Sequence, residues 1–237
     1  MNASDKIDIA ALGAIDGLSG SLADRTYEAL REAILSLRFP PGAILRKGLV
    51  CEQLGVSRSP VSEALARLAA EGLVEIIPQS ATRVSRFSIS DIREAAFLRE
   101  ALEVAAVTKV AAERTAEQLS HLTRSLRLQE LLVEDKDYAG YFKADEDFHY
   151  SLMTFTGFPR VQSVTNQVTI QLYRARMLLL PTPGRATDTL EEHRMIVEAI
   201  RDQNPEAARA AMSRHLNQLL IRLGPLEEEW PDLFRKK

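Results

Sequence analysis

The stretch from Lys47 to Val84, KGLVCEQLGVSRSPVSEALARLAAEGLVEIIPQSATRV, admits few folds. A short helix over Lys47 to Leu54 must stop at Gly55, which enters a left-handed helix end without the penalty of a Cβ. Ser57 offers a side-chain oxygen to cap a second helix. Pro60 falls in that helix's first turn, where a missing N–H is harmless. Val61, Leu65, Leu68 and Ala69 recur at helical spacing and form one apolar face. Arg58, Ser59 and Ser62 occupy the exposed entry of the same helix, and Gly72 ends it. Leu73 to Ile77 then pairs with Thr82 to Ser85 across Pro78–Ala81. This predicts a helix-turn-helix followed by a β-hairpin wing.

Such a unit has the chemistry to read DNA. A recognition helix places its N-terminal residues against base edges in the major groove. Arg grips guanine through two hydrogen bonds, while helix N-termini, hydroxyls and wing arginines hold phosphates. The expected contacts are Ser57, Arg58, Ser59, Ser62 and Arg67 on the helix, and Gln79, Thr82 and Arg83 on the wing. The competing reading is an ordinary helical hairpin with a solvated face.

RTYEALREAILSLRFPPGAIL followed by LGVSRSPVSEALARLAAEGLVEIIPQSATRV resembles the winged helix-turn-helix of the GntR family of bacterial transcription regulators, over roughly residues 22–86. Two departures stand out. Ser62 replaces an Arg that commonly contacts DNA in the family, and Gly48–Leu49 replace a charged pair. The resemblance therefore implies an operator unlike the family's commonest half-site, with Arg58 as the main base reader.

The formal net charge of −3 excludes a uniformly basic nucleic-acid protein. The charge is divided, however. Residues 20–86 hold nine Lys/Arg against seven Asp/Glu, and residues 87–237 hold twenty against twenty-three. DNA binding is thus expected through a local patch and should weaken with salt. One cysteine, Cys51, rules out an intrachain disulfide. No apolar run reaches the length of a membrane span, and no signal-peptide layout is present, so a cytoplasmic protein is expected. Residues 1–19 have weak periodicity and read as a mobile tail, in which Ile7 to Leu18 could pack loosely; residues 20–86 read as the winged domain and residues 87–237 as a second domain.

Past Ser90 the pattern is purely helical. Apolar spacing predicts helices over 91–114, 116–134, 138–156, 161–180 and 187–201, and Asn204–Pro205 opens a sixth that runs to about Glu227. The fold class is therefore mainly α: a winged helix-turn-helix followed by an all-α antiparallel bundle of about six helices.

The bundle carries the remaining chemistry. Asp145 and His149 lie four apart and share one helix face. His193 sits beside Ile196 and Ile200, and His215 beside Met212 and Leu219. Three histidines and one carboxylate thus lie on or near inward faces of three helices. Imidazole with carboxylate suits Zn²⁺ or Ni²⁺. Each histidine taken alone reads equally as a hydrogen-bonded core residue. His121, the fourth, lies in a polar segment and reads as surface.

Residues 90–225 in turn resemble the FCD effector-binding domain of the FadR-type GntR subgroup. The marks are AFLREALE (Phe97 to Glu103 within it), Asp145-Glu-Asp-Phe148-His149, Glu192-His193-Arg-Met-Ile196 and Arg214-His215-Leu216. The resemblance implies that Asp145, His149, His193 and His215 bind a divalent metal, Zn²⁺ foremost, with Ni²⁺ or Mn²⁺ as alternatives. It implies a small carboxylate effector clamped by Arg99, with Arg174 and Arg176 as weaker candidates, and a homodimer on double-stranded operator DNA. Phe158 departs from the family's usual Asn. The plain alternative for Arg99 is a structural pair with Glu103. A metal-dependent hydrolase or lyase is the rival reading. It lacks an HExxH motif, and Glu146 and Glu192 are expected to point away from the ligands. A structural metal with another effector, such as an acyl-coenzyme A, is a third.

Overall fold

A computed structural model describes residues 9–179 and 184–235. The chain forms two compact units. Of the described residues, those up to 89 together with 225–235 make one, and those from 90 to 224 make the other.

In the first unit, α1 (Leu22–Leu35) begins at a capping box. The Ser21 hydroxyl accepts from the Asp24 N–H, and the Asp24 carboxylate accepts from the Ser21 N–H. The helix stops where Leu37 turns to φ 60°, ahead of Pro40–Pro41. Its buried face, including Leu30, Ala33 and Ile34, packs on α3 (Arg58–Ala70) through Val61, Ala64, Leu65 and Leu68. Between them, α2 (Lys47–Leu54) ends at Gly55 with φ 63°. At the end of α3, Gly72 takes φ 71° and the Leu73 N–H returns to the Leu68 carbonyl at 2.9 Å. Ser57 occupies the cap position of α3, but its hydroxyl makes no capping bond.

The wing is an antiparallel sheet of β1 (Ile44–Leu45), β2 (Val74–Ile76) and β3 (Thr82–Val84) in the order β1-β3-β2. Val74 faces Val84 and Ile76 faces Thr82, the hairpin expected from the sequence. The third strand, β1, was not expected. At two residues it is too short to show alternation, and its pairing of Ile44 with Arg83 is fixed by the chain returning from α1.

Two further stretches belong to this unit. The first eight residues of the expected mobile tail lie outside the described residues. Beyond them, Ile9–Ala11 forms a 3-10 turn against α2, and Leu12 and Ile15 are buried. Residues 225–235, which periodicity placed with the helical domain, return to this unit. Phe234 pairs in parallel with Phe87, with the Phe87 N–H on the Leu233 carbonyl (2.9 Å) and the Arg235 N–H on the Phe87 carbonyl (2.8 Å). The two rings meet at 5.5 Å, Arg86 Nε donates to the Asp232 carbonyl, and Arg235 pairs with Glu75.

The second unit is built from α4 (Ile89–Glu113) from Ser90 onward, α5 (Ala116–Glu134), α6 (Tyr138–Phe155), α7 (Pro159–Leu179), α8 (Arg185–Arg201) and α9 (Pro205–Glu229) as far as Gly224. These bounds lie close to those the apolar spacing predicts. A Thr115–Gln118 capping box opens α5, and the Asn204 side chain accepts from the Ala207 N–H at the start of α9. Helix α5 packs against α6 and α8, and α6 packs against α7. The core joins Val107 and Val110 of α4, Leu122 of α5, Phe148 and Leu152 of α6, Ile196 and Ile200 of α8, and Met212 of α9. None of the described helices is long and apolar enough to cross a membrane.

Candidate metal centre and nucleic-acid interface

The buried faces of α6, α8 and α9 bring His149, His193 and His215 together, with ligand atoms all within 4.8 Å of one another. Each ring is pinned through Nδ1. His149 Nδ1 lies 2.5 Å from Glu103 Oε2 on α4, His193 Nδ1 lies 2.8 Å from Gln129 Oε1 on α5, and His215 Nδ1 lies 2.6 Å from Glu192 Oε2 on α8. An ionised carboxylate or an amide oxygen only accepts, so each Nδ1 carries a proton, and in the neutral ring the matching Nε2 presents a lone pair.

Those lone pairs converge. His149 Nε2 and His215 Nε2 are 3.1 Å apart, and His193 Nε2 is buried with no hydrogen-bond partner. Burial, reinforced by the neighbouring imidazoles, pulls the pKa values of His193 and His215 well below the usual histidine value. Neutral imidazoles whose lone pairs face one another make a donor set that a cation completes. Asp145 adds an oxygen 3.6 Å from His193 Nε2. The four residues therefore fit a divalent metal by donor type, protonation and outer hydrogen bonding.

A cavity adjoins this cluster. Asp145 and His215 line it, together with Arg99, Tyr141, Arg176, Arg185 and Thr189. Arg99 makes the structural pair with Glu103, at 2.5 Å, and also lines the cavity. Burial acts to raise the pKa of the Glu103 carboxyl, but Arg99 and His149 together hold it well below the usual carboxylate range. Arg176 bridges Asp145 and Glu146 and stands over the Phe142 ring. Burial and then the charge of Arg99 bring its pKa down to about 9, which still leaves it charged at neutral pH. Arg174 is fully buried and is not among the residues lining the cavity.

Sequence reasoning missed Arg185 and the acceptors Glu103, Gln129 and Glu192. Glu192 was expected to face away. It adjoins His193 in sequence but serves His215 on the next helix, and Arg185 lies 3.2 Å from its other oxygen. His121 is exposed, as expected, and bonds Ser151.

On the first unit, Ser57, Arg58 and Ser59 are exposed at the entry of α3, and Ser62 is half-buried 3.4 Å from Lys47 Nζ. Gln79 stands at the tip of the wing with φ 56°. Arg83 is half-buried, with one nitrogen on the Gly42 carbonyl. Two expected contacts sit elsewhere. Thr82 is buried in β3, because the period-2 alternation of a strand turns it inward. Arg67 is held by Asp24 at 2.8 Å and covers the Tyr27 ring at 3.9 Å, so it ties α3 to α1.

Comparison with known proteins agrees with this architecture. Residues 22–84 match "Bacterial regulatory proteins, gntR family", and residues 94–218 match the FCD domain. The chain belongs to the GntR family of bacterial regulatory proteins. An HTH-type regulator in an unstable DNA locus of Streptomyces ambofaciens is 33% identical over 208 residues, covering 88% of this chain and 87% of that protein. The HTH-type transcriptional repressor RspR of Escherichia coli K12 is 27% identical over 211 residues, covering 89% and 92%. A crystal structure of a putative GntR regulator from Rhodococcus sp. RHA1 superposes with a TM-score of 0.73 at 25% identity, covering 86% of this chain and 98% of that one. This GntR protein is a DNA-binding transcriptional regulator and not an enzyme.

Proposed function

We propose that this GntR protein is a cytoplasmic repressor, released from its operator by a small carboxylate bound beside a divalent metal. The observation that carries this reading is the convergence of three buried imidazole Nε2 atoms, each with its Nδ1 committed to an outer acceptor. Asp145, His149, His193 and His215 would hold the metal. Zn²⁺, Ni²⁺ or Mn²⁺ there supplies a fixed positive charge and Lewis acidity for an anion.

The chain's own residues supply the rest. Arg99, Arg176 and Arg185 line the adjoining cavity and offer planar donor pairs that match a carboxylate. Arg174, buried and outside that lining, drops from the effector set. The Tyr141 hydroxyl and Thr189 add neutral polar groups to the wall. On the DNA side, Arg58 reads bases, Ser57, Ser59 and Ser62 hold phosphates at the entry of α3, and Gln79 and Arg83 act from the wing. A homodimer suits two half-sites. Phe97 of α4 is 71% exposed and shares an exposed face with Ala101 and Ala105, a surface that a second copy would cover.

The test is a thermal-shift panel of small organic acids on metal-loaded and chelator-stripped protein, followed by operator binding by fluorescence anisotropy. The expected result is an acid that raises the melting temperature of the loaded form alone and weakens operator binding. Stripped protein that melts like the original, with no metal found in either, would refute the sensor.

A further inference from the structure

The three acceptors behind the histidines differ in kind. Glu103 is paired with Arg99 at 2.5 Å, and Glu192 is paired with Arg185 at 3.2 Å. The third, Gln129, is neutral and fully buried on α5, a helix that supplies none of the four candidate ligands. Its Oε1 lies 2.8 Å from His193 Nδ1 and its Nε2 lies 3.3 Å from Ser125 Oγ. A carboxylate in its place would be buried without the arginine that accompanies each of the other two.

His193 has the greatest need of such a partner. Its ring is fully buried and stacks on Phe148, with centroids 4.3 Å apart and planes 20° apart. Stacking fixes the plane of the ring but not its sense. A half-turn about the Cβ–Cγ bond would preserve the stack and aim Cε1, instead of Nε2, toward His149 and His215. Only a hydrogen bond at Nδ1 tells the two orientations apart.

We propose that Gln129 is a positioning residue for metal binding: it locks His193 in the one flip state and tautomer that present Nε2 as a ligand. This rests on the metal reading above. Outer hydrogen-bond partners of ligating histidines are typically worth about 10–100-fold in metal affinity.

The experiment measures Zn²⁺ affinity of the full chain by competition with a chromophoric chelator. In Gln129→Asn the amide is withdrawn by one methylene, and Zn²⁺ binding is expected to weaken about 10–100-fold. Gln129→Met fills the same volume without a strong acceptor and is expected to weaken Zn²⁺ binding at least as much. A ¹⁵N imidazole spectrum of the unaltered protein is expected to show His193 protonated on Nδ1, with Nε2 shifting on Zn²⁺ addition. This reading decides the matter even if a variant does not fold. Unweakened Zn²⁺ binding in either variant, or a proton on His193 Nε2 in the zinc-free protein, would overturn the assignment. Wild-type protein that takes up no Zn²⁺ or other divalent metal would instead remove the metal reading itself.

Discussion

The two units carry their polar machinery in opposite ways. In the winged unit, Ser57, Arg58, Ser59 and Gln79 stand in water within one local stretch, on a scaffold whose apolar face is turned the other way. In the helical unit, Asp145, His149, His193 and His215 are buried, and their outer partners come from α4, α5 and α8. Exposed groups are satisfied by water in the free protein, so each should act on binding nearly independently of folding. Buried groups satisfy one another, so removing one disturbs stability and ligation together.

The strongest way to break this contrast is Phe148→Ala. Phe148 is fully buried in the bundle core and stacks on His193. The substitution should cost about 3–5 kcal/mol in urea unfolding. It should also weaken Zn²⁺ binding in the same preparation, because the ring that holds the His193 plane is gone. Loss of stability with undiminished Zn²⁺ affinity would uncouple packing from ligation and refute the contrast on the buried side.

Arg58→Ala probes the exposed side. Operator affinity should fall by about 1–3 kcal/mol, with relaxed preference at the contacted base pair, in anisotropy titrations against matched and mutated sites. The melting temperature should stay within about a degree, since substitutions away from packed features usually change stability by less than about 0.5 kcal/mol. Full operator affinity and base preference in this variant would count against α3 as the reading helix.

Ser21→Ala sharpens the comparison within the winged unit. It removes the hydroxyl that caps α1 and should destabilise that unit by about 1 kcal/mol without touching the DNA face. Hydrogen exchange in α1 and α3, read against exchange in α8, would localise the effect. The smallest change is expected at Arg38→Ala, which breaks an exposed pair with Glu32 at 2.8 Å and should cost less than about 0.5 kcal/mol in urea unfolding.

The same division explains what the residues disclosed in advance. Helix ends at Gly55, Gly72 and Pro205 were legible because their causes are local: a left-handed φ, or a proline in the first turn. The histidines could be nominated because helical spacing sets them among apolar neighbours. Glu103, Gln129 and Glu192 were not legible. Each lies on a different helix from the histidine it serves, and no spacing rule reaches across helices. Arg67 and Thr82 misled for a related reason. Their residue types suit DNA, but Asp24 and Tyr27 occupy one and the strand pleat buries the other. The two-residue β1 and the return of Phe234 to Phe87 depend on long-range closure, which leaves almost no trace in local sequence.

That return has a consequence for how the protein is made. A ribosome releases the winged segment first, yet Phe87 must wait for Phe234, which emerges only after every helix of the bundle. The DNA-binding unit is therefore begun first and completed last. A nascent or prematurely ended chain presents α3 without the backbone bridge and ring contact that close the unit. Bulk added just beyond Phe234 would burden that closing joint.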